Sequence, residues 1–394
     1  MRQPSLLIRL PRVVTVIALL LALAAGFAPR RGAAQGSGVA NPPAAGRLTV
    51  PPLPQGTPEQ LLKFVAELRN PAQQPSSREE MLAYMQGVAA VTVQAADTIL
   101  GQVKPGEKFH ADAAQLKLEG LMMLGQMGDE KAEAAMAAYA ATLVDSPEPT
   151  LAREARRLLI VADARNTFES GKLDLAPALV KRTADLLAAD ADDTETAMLA
   201  MQLANAFEQA EGGEAVAAEA YATFGPLFAK SGNAQVRAMA ESFAGTLRRL
   251  SLKGKPMEIT GTLLGGGAFD QKSLAGKVVL VDFWATWCGP CVAEMPNILA
   301  QYEKYHAQGF EVVGISLDED RAALQAFVTE QKLPWPILFE PAGGEGWQHP
   351  MATKYGISGI PQLILLGRDG NVITLNARGE ALQKQLAELF KDAG

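Results

Sequence analysis

Cys288 and Cys291 are the only thiols in the 394-residue chain, and they stand three positions apart. In the first turn of a helix that spacing puts both sulfurs on one face, within reach of a small disulfide loop. The run Cys288-Gly289-Pro290-Cys291 reads as the entry to an amphipathic helix extending to about His306, with Pro290 fixing φ in the first turn. Cys288 then lies at the positive end of the helix dipole, beside backbone N–H groups that have no helical partner. A thiolate is stabilised there, so its pKa falls from about 8.5 towards 7 or below. The chemistry implied is nucleophilic: Cys288 attacks, and Cys291, one turn further in, resolves. Gly289 lets a partner approach closely. A static disulfide and two inert core thiols are the bland alternatives. No metal site is expected, because two cysteines cannot fill four positions and His110, His306 and His349 are scattered.

The elements that position this pair follow from hydrophobic patterning. The segment from Gly276 to Ala285 holds a continuous apolar run and reads as a strand buried on both faces, feeding directly into the cysteine motif. A second buried strand is expected over Phe310–Leu317, a helix over Arg321–Gln331 and a short strand over Ile337–Phe339. Gln362–Leu366 and Val372–Leu375 form a hairpin across Arg368-Asp369-Gly370, and a last helix runs from about Arg378 to Phe390. Upstream, Met257–Leu264 alternates like a strand, with Gly265-Gly266-Gly267 as its turn. The order β-α-β-α-β-β-α predicts a three-layer α/β sandwich with a mixed central sheet.

On these residues a resemblance can be stated. Val281-Asp282-Phe283-Trp284-Ala285-Thr286-Trp287-Cys288-Gly289-Pro290-Cys291 resembles the active site of the thioredoxin superfamily. The continuation Val292-Ala293-Glu294-Met295-Pro296 is similar to its exported, TlpA-like branch, and Gly359-Ile360-Pro361 resembles the cis-proline loop of the same fold. The resemblance covers residues 256–394. It implies a thioredoxin-like fold and a redox-active Cys288–Cys291 disulfide. It also implies that Asp282, on the strand beneath the pair, accepts or returns the Cys291 proton, and a carboxyl buried there has a raised pKa. Trp284 and Trp287 would shield the motif. Pro361, in the cis form, would bring its loop against Cys288, so that the backbone of Ile360 pairs with an extended substrate segment. Trp287, Gly289 and Pro290 would complete the substrate-binding set, and Pro296 would kink the helix. Two departures stand out. Many thioredoxins carry a lysine near the buried acid on the next strand, where this chain aligns Gly314. Glu294 reads either as a second proton shuttle or as an exposed helix acid. The segment from Gly343 to Pro350 reads either as a lid on the substrate side or as a connector.

From Thr57 to Leu250 nearly every segment has helical spacing. Thr57-Pro58-Glu59-Gln60 is an N-cap with proline in the first helical position. Further helices are expected over 77–100, 110–125, 129–144, 150–164, 172–188, 192–210, 213–230 and 233–250. Short turns between long helices imply an all-α domain of antiparallel helical hairpins. The alternation fits a solenoid, although no repeat signature recurs cleanly. No catalytic constellation is evident in this region. Ahead of it, Arg2, Arg9 and Arg12 precede an uncharged stretch from Val13 to Ala28, and Gly32-Ala33-Ala34 has the small side chains that suit a signal peptidase. Residues 1–34 therefore read as a signal peptide or an uncleaved membrane anchor. Residues 35–56, rich in Gly, Pro and Ala, read as a linker ahead of the helical domain (57–250) and the thioredoxin-like domain (256–394).

A net charge of −7 leaves no basic excess to neutralise phosphates, so nucleic acid is not expected as a partner. The composition, 48% apolar and 20% charged, excludes a fully disordered chain and a polytopic membrane protein. The implied function is an exported, periplasmic or otherwise extracytoplasmic thiol–disulfide oxidoreductase, with a role in redox homeostasis, that reduces protein disulfides and needs no bound cofactor beyond its own cysteines. Reducing members lie near about −270 mV, against about −120 mV for a strong oxidant. An exported reductant also needs a membrane electron donor. A competing function is an exported binding or scaffold protein, whose helical domain recruits a protein partner and whose redox module is accessory. A third, a thiol peroxidase of the same fold, usually has Thr three residues before its reactive cysteine; Ala285 stands there.

Overall fold

The computed structural model describes residues 48–71, 73, 75–340 and 343–391. The expected leader (1–34) and the first part of the linker (35–47) lie outside the described residues. Among the described residues, no helix is long and apolar enough to cross a membrane. The chain divides into two compact units, one up to Leu186 and one from Leu187.

The first unit is almost entirely helical: α1 (Pro58–Leu68), α2 (Arg78–Leu100), α3 (His110–Gln126), α4 (Glu130–Leu143), α5 (Pro149–Ser170) and most of α6 (Ala176–Ala189). Caps set the starts. Thr57 and Gln60 form a reciprocal capping box, and the side chains of Ser77 and Asp129 accept first-turn N–H groups of α2 and α4. From α1 to α5 each helix packs on the next in sequence. Alanines (Ala114, Ala132, Ala140, Ala155) sit buried among Leu118, Leu121, Leu143 and Leu158, which permits close helix approach. Residues 48–56, expected as tether, lie against this unit: Leu48 donates its N–H to Glu80 at 2.7 Å, and Leu53 packs with Leu61 and Ile99.

The second unit holds α7 (Thr194–Gln209), α8 (Glu214–Ala229) and α9 (Ala234–Leu250), followed by β1 (Val278–Trp284), α10 (Gly289–Tyr305), β2 (Phe310–Ser316), α11 (Arg321–Glu330) and β3 (Ile337–Leu338). It closes with α12 (Pro350–Tyr355), β4 (Gln362–Leu366), β5 (Val372–Thr374) and α13 (Gly379–Leu389). The sheet order is β3-β2-β1-β4-β5. β1 runs parallel to β2, and β2 to β3, while β4 is antiparallel to both β1 and β5. Every residue of β1 and β2 is buried. Because successive strand side chains point to opposite faces, both faces of the sheet are covered, as in a three-layer sandwich. One hydrophobic core joins the strands to residues of α10, α11, α12 and α13.

The segment 257–264 departs from the expected strand. It makes only isolated bridges, Thr262 with Ala268 and Leu263 with Leu338. Three of its backbone donors go to side chains, Glu258 to the Tyr355 hydroxyl, Ile259 to Gln271 and Thr262 to Glu340, while Met257, Leu263 and Leu264 donate to scattered backbone carbonyls. An alternating pattern buries one side equally well in an extended segment satisfied this way, so the pattern alone does not imply a ladder.

Helix α9 rests on α12. Gly245 is the point of closest approach: a Cβ there would stand 2.7 Å from the Thr353 carbonyl oxygen and from the Gly356 nitrogen. Thr246 donates its hydroxyl to the Gly356 carbonyl at 3.1 Å. Arg249 donates to the Tyr355 carbonyl at 3.1 Å and pairs with Glu208 of α7 at 2.7 Å. Helix α9, tied to α7 through Glu208, thus holds the segment leading into the Ile360–Pro361 loop.

Candidate active site

β1 carries the chain from the centre of the sheet straight into the cysteine motif. Cys288 is the N-cap of α10, and its sulfur accepts the Cys291 N–H at 3.2 Å. The two cysteines form a disulfide, with their Cα atoms 5.3 Å apart. Gly289 and Pro290 are exposed, but both cysteines are largely covered, Cys288 at 6% and Cys291 at 2% exposure. The opening onto the first sulfur is therefore narrow, smaller than its place at a helix start suggests.

The turn before Cys288 is fixed by a residue the sequence reading passed over. Asp318, buried just beyond β2, accepts the Thr286 N–H at 3.1 Å and hydrogen bonds from the hydroxyls of Thr286 and Ser316. Hydrogen bonds to an ionised acceptor are roughly twice as strong as neutral ones, so this carboxylate clamps the approach to Cys288. The available signal was an acid placed two residues after a strand that reads as buried.

Asp282 lies on β1, 2% exposed. Burial, and secondarily the negative charge of Glu294, push its carboxyl up to about 7. Its Oδ1 has no hydrogen-bond partner. In the β1–β2 register Asp282 stands opposite Gly314. A Cβ on Gly314 would meet the Ile337 Cδ1 at 2.7 Å and the Trp284 Nε1 at 3.0 Å. The side-chain room that a lysine would need beside the acid is thus taken by an indole. Trp284 is wholly buried and packs on Phe327. Trp287, 57% exposed, is at the surface.

Glu294 is neither a free acid nor a bare helix charge. One of its oxygens accepts the Gly379 N–H at 2.8 Å and the Asn297 side-chain amide at 2.7 Å, so it holds the start of α13 against α10. Its charge still reaches Asp282. Pro296 sits within α10. The Ile360–Pro361 bond is cis, and both residues are half-buried. Gln362 pairs with Phe283, so these two residues leave the sheet at the end where β1 leads towards Cys288.

Trp347, in the short turn Gly346–Gln348 within the glycine-rich segment 343–350, is 44% exposed and faces Trp287 with ring centroids 6.3 Å apart. The two rings border a groove of about 340 Å³ that Thr286, in the turn before Cys288, also lines. Of the alternatives for that segment, lid or connector, this contact makes it a wall of the groove.

Similarity to known proteins falls on the same part of the chain. The Redoxin family model matches residues 252–389. Over 130 residues the chain is 35% identical to thiol-disulfide oxidoreductase ResA of Bacillus thuringiensis subsp. konkukian, covering 33% of this chain and 71% of that protein. Among solved structures, the thioredoxin domain of a thiol-disulfide oxidoreductase from Bacteroides vulgatus is 28% identical, covering 34% of this chain and 96% of that one, with a TM-score of 0.32. A secreted disulfide oxidoreductase of Mycobacterium tuberculosis, described as homologous to DsbE of E. coli, is 27% identical over 33% of this chain and 96% of that one, with a TM-score of 0.28.

Proposed function

Given that the chain belongs, through its C-terminal domain, to the TlpA-like thiol–disulfide oxidoreductases of the thioredoxin superfamily, we propose that it reduces protein disulfides outside the cytoplasm. The observation that carries this reading is a cysteine pair joined at the head of a helix, with a buried carboxyl of pKa about 7 on the strand that feeds it.

In the reduced protein the Cys288 thiolate, favoured by the first-turn N–H groups of α10, attacks one sulfur of a substrate disulfide. A mixed disulfide forms and the other substrate sulfur leaves as a thiolate. Asp282 takes the Cys291 proton, which a carboxyl with a pKa near neutrality does readily. Cys291 then attacks the Cys288 sulfur, closing the Cys288–Cys291 disulfide and releasing the second substrate thiolate. The substrate gains two electrons and the enzyme loses two. Ile360, ahead of cis-Pro361, offers backbone groups to an extended substrate, and Trp287, Gly289 and Pro290 form the surface that meets it. Glu294 acts through Asp282 by holding a negative charge nearby. A membrane electron donor returns the enzyme to its dithiol form.

Residues 1–34 export or anchor the chain, 35–56 link it, and the helical hairpins of 57–250 recruit a protein partner. In the Cys291→Ser variant the mixed disulfide on Cys288 should persist and be recovered with substrate attached, and the wild type should reduce insulin. A variant that captures nothing, together with a wild type inactive on insulin, refutes the proposal.

A further inference from the structure

The groove between Trp287 and Trp347 is charged with one sign only. Its acidic lining residues are Asp318, Glu319 and Asp320, and among the described residues no lysine or arginine lines it. Two of the three acids are already engaged. Asp318 is buried and holds Thr286, and Asp320 caps α11 by accepting the N–H groups of Ala322 and Ala323. The side chain of neighbouring Arg321 is drawn away to the Leu264 carbonyl. Glu319 is exposed and makes no ion pair or hydrogen bond among the described residues. Its carboxylate lies against the turn that carries Trp347, since a Cβ on Gly346 would stand 3.1 Å from its Oε1.

Trp287 and Trp347 are the only exposed tryptophans among the described residues, and both flank this groove. A groove lined by an unpaired carboxylate and two exposed indoles fits a cation, which an aromatic face attracts through its quadrupole and a carboxylate by charge. Trp287 directly precedes Cys288, and an extended chain advances about 3.3 Å per residue. Because Trp287 is a wall of the groove, the groove lies one residue along the chain from the attacking cysteine.

We propose that this groove binds an arginine or lysine of the substrate polypeptide next to its reactive cysteine, so that the enzyme prefers disulfides flanked by a basic residue. This inference rests on the thiol–disulfide exchange reading above. The test uses the full-length reduced protein and matched peptides, each with one cysteine carried as a mixed disulfide with glutathione and with Arg, Gln or Glu two residues away. In wild type at low salt the Arg peptide should be reduced about tenfold faster than the Gln peptide, and the Glu peptide more slowly than either. The preference should shrink in high salt. Glu319→Gln should bring the Arg peptide close to the Gln peptide while leaving the Gln peptide's rate unchanged, and Trp347→Ala should also weaken the preference. Equal rates for Arg and Gln peptides in wild type, or a preference that survives both substitutions, overturns the inference while leaving the exchange reading intact. Failure to reduce any of the peptides counts against the exchange reading, and against this inference with it.

Discussion

Asp282→Asn should change how the stability of the second unit depends on pH, with a definite sign. In the folded protein the carboxyl titrates near 7, against 3.8 for an ordinary aspartate. Between those two values the folded chain keeps a proton that the unfolded chain has released. Stability then falls as pH rises through this window, because the native state binds more protons than the unfolded one. Below about pH 4 both states are protonated and the acid costs nothing through ionisation. Above about pH 7 both are ionised, and the full cost of burying the charge is present. A shift of roughly three units at 1.36 kcal/mol each gives about 4 kcal/mol. Asparagine carries no such proton, so its own fixed cost is the same across the range and cancels in the pH dependence. All four tryptophans (284, 287, 335 and 347) fall in the second unit, so urea unfolding followed by indole fluorescence reports that unit alone. From pH 4 to pH 8 the stability of wild type relative to the variant should drop by about 4 kcal/mol. Glu294→Gln, which removes the lesser cause, should move the upper edge of the window down without abolishing it. Parallel pH profiles for wild type and Asp282→Asn would refute the argument.

Two further outcomes follow from packing and from the clamp. Gly245→Ala places a methyl group against backbone atoms of α12 and its C-terminal cap, and overpacking of this kind costs about 1–3 kcal/mol; urea unfolding should register that loss, and the redox potential should not move. Asp318→Ala leaves the Thr286 N–H without its acceptor, and losing hydrogen bonds to a charged group costs about 1.5–3 kcal/mol each; insulin turnover should fall with stability, because the turn that presents Cys288 loses its tie.

The helices were legible because their ends carry local chemistry. Thr57, Ser77, Asp129, Asp193, Asn233 and Asp320 cap them, and a left-handed Gly171 stops α5. The helix expected at 172–188 begins instead with a 3₁₀ turn, Leu173–Leu175, before α6. β1 and β2 were legible from largely apolar runs, each with one acid (Asp282, Glu311), and the cysteine motif from its own spacing. What escaped was non-local. Whether 257–264 forms a ladder depends on Gln271, Glu340 and Tyr355, which lie up to about a hundred residues away. Asp318 lies 32 residues from the Thr286 that it holds, and the Trp287–Trp347 contact spans sixty positions. No pattern in a single stretch encodes such pairs.

The tuning of Asp282 has the same character. Its neighbour across the strand pair, Gly314, cannot supply a cation, and Trp284 closes the space where one would reach in. The proton is then governed by burial and by one like charge. That charge, Glu294, is held by the Gly379 N–H, so the start of α13 helps to fix how strongly Asp282 is pushed up. A substitution that loosens this contact lets Glu294 swing outward, and the Asp282 pKa falls with no change in any residue of the cysteine motif. In the proposed mechanism, a carboxyl that ionises at lower pH takes up the Cys291 proton less readily, and the step that releases substrate weakens. The Asp282 carboxyl is therefore tuned in part by the contact between α10 and α13, and not by the four-residue motif alone.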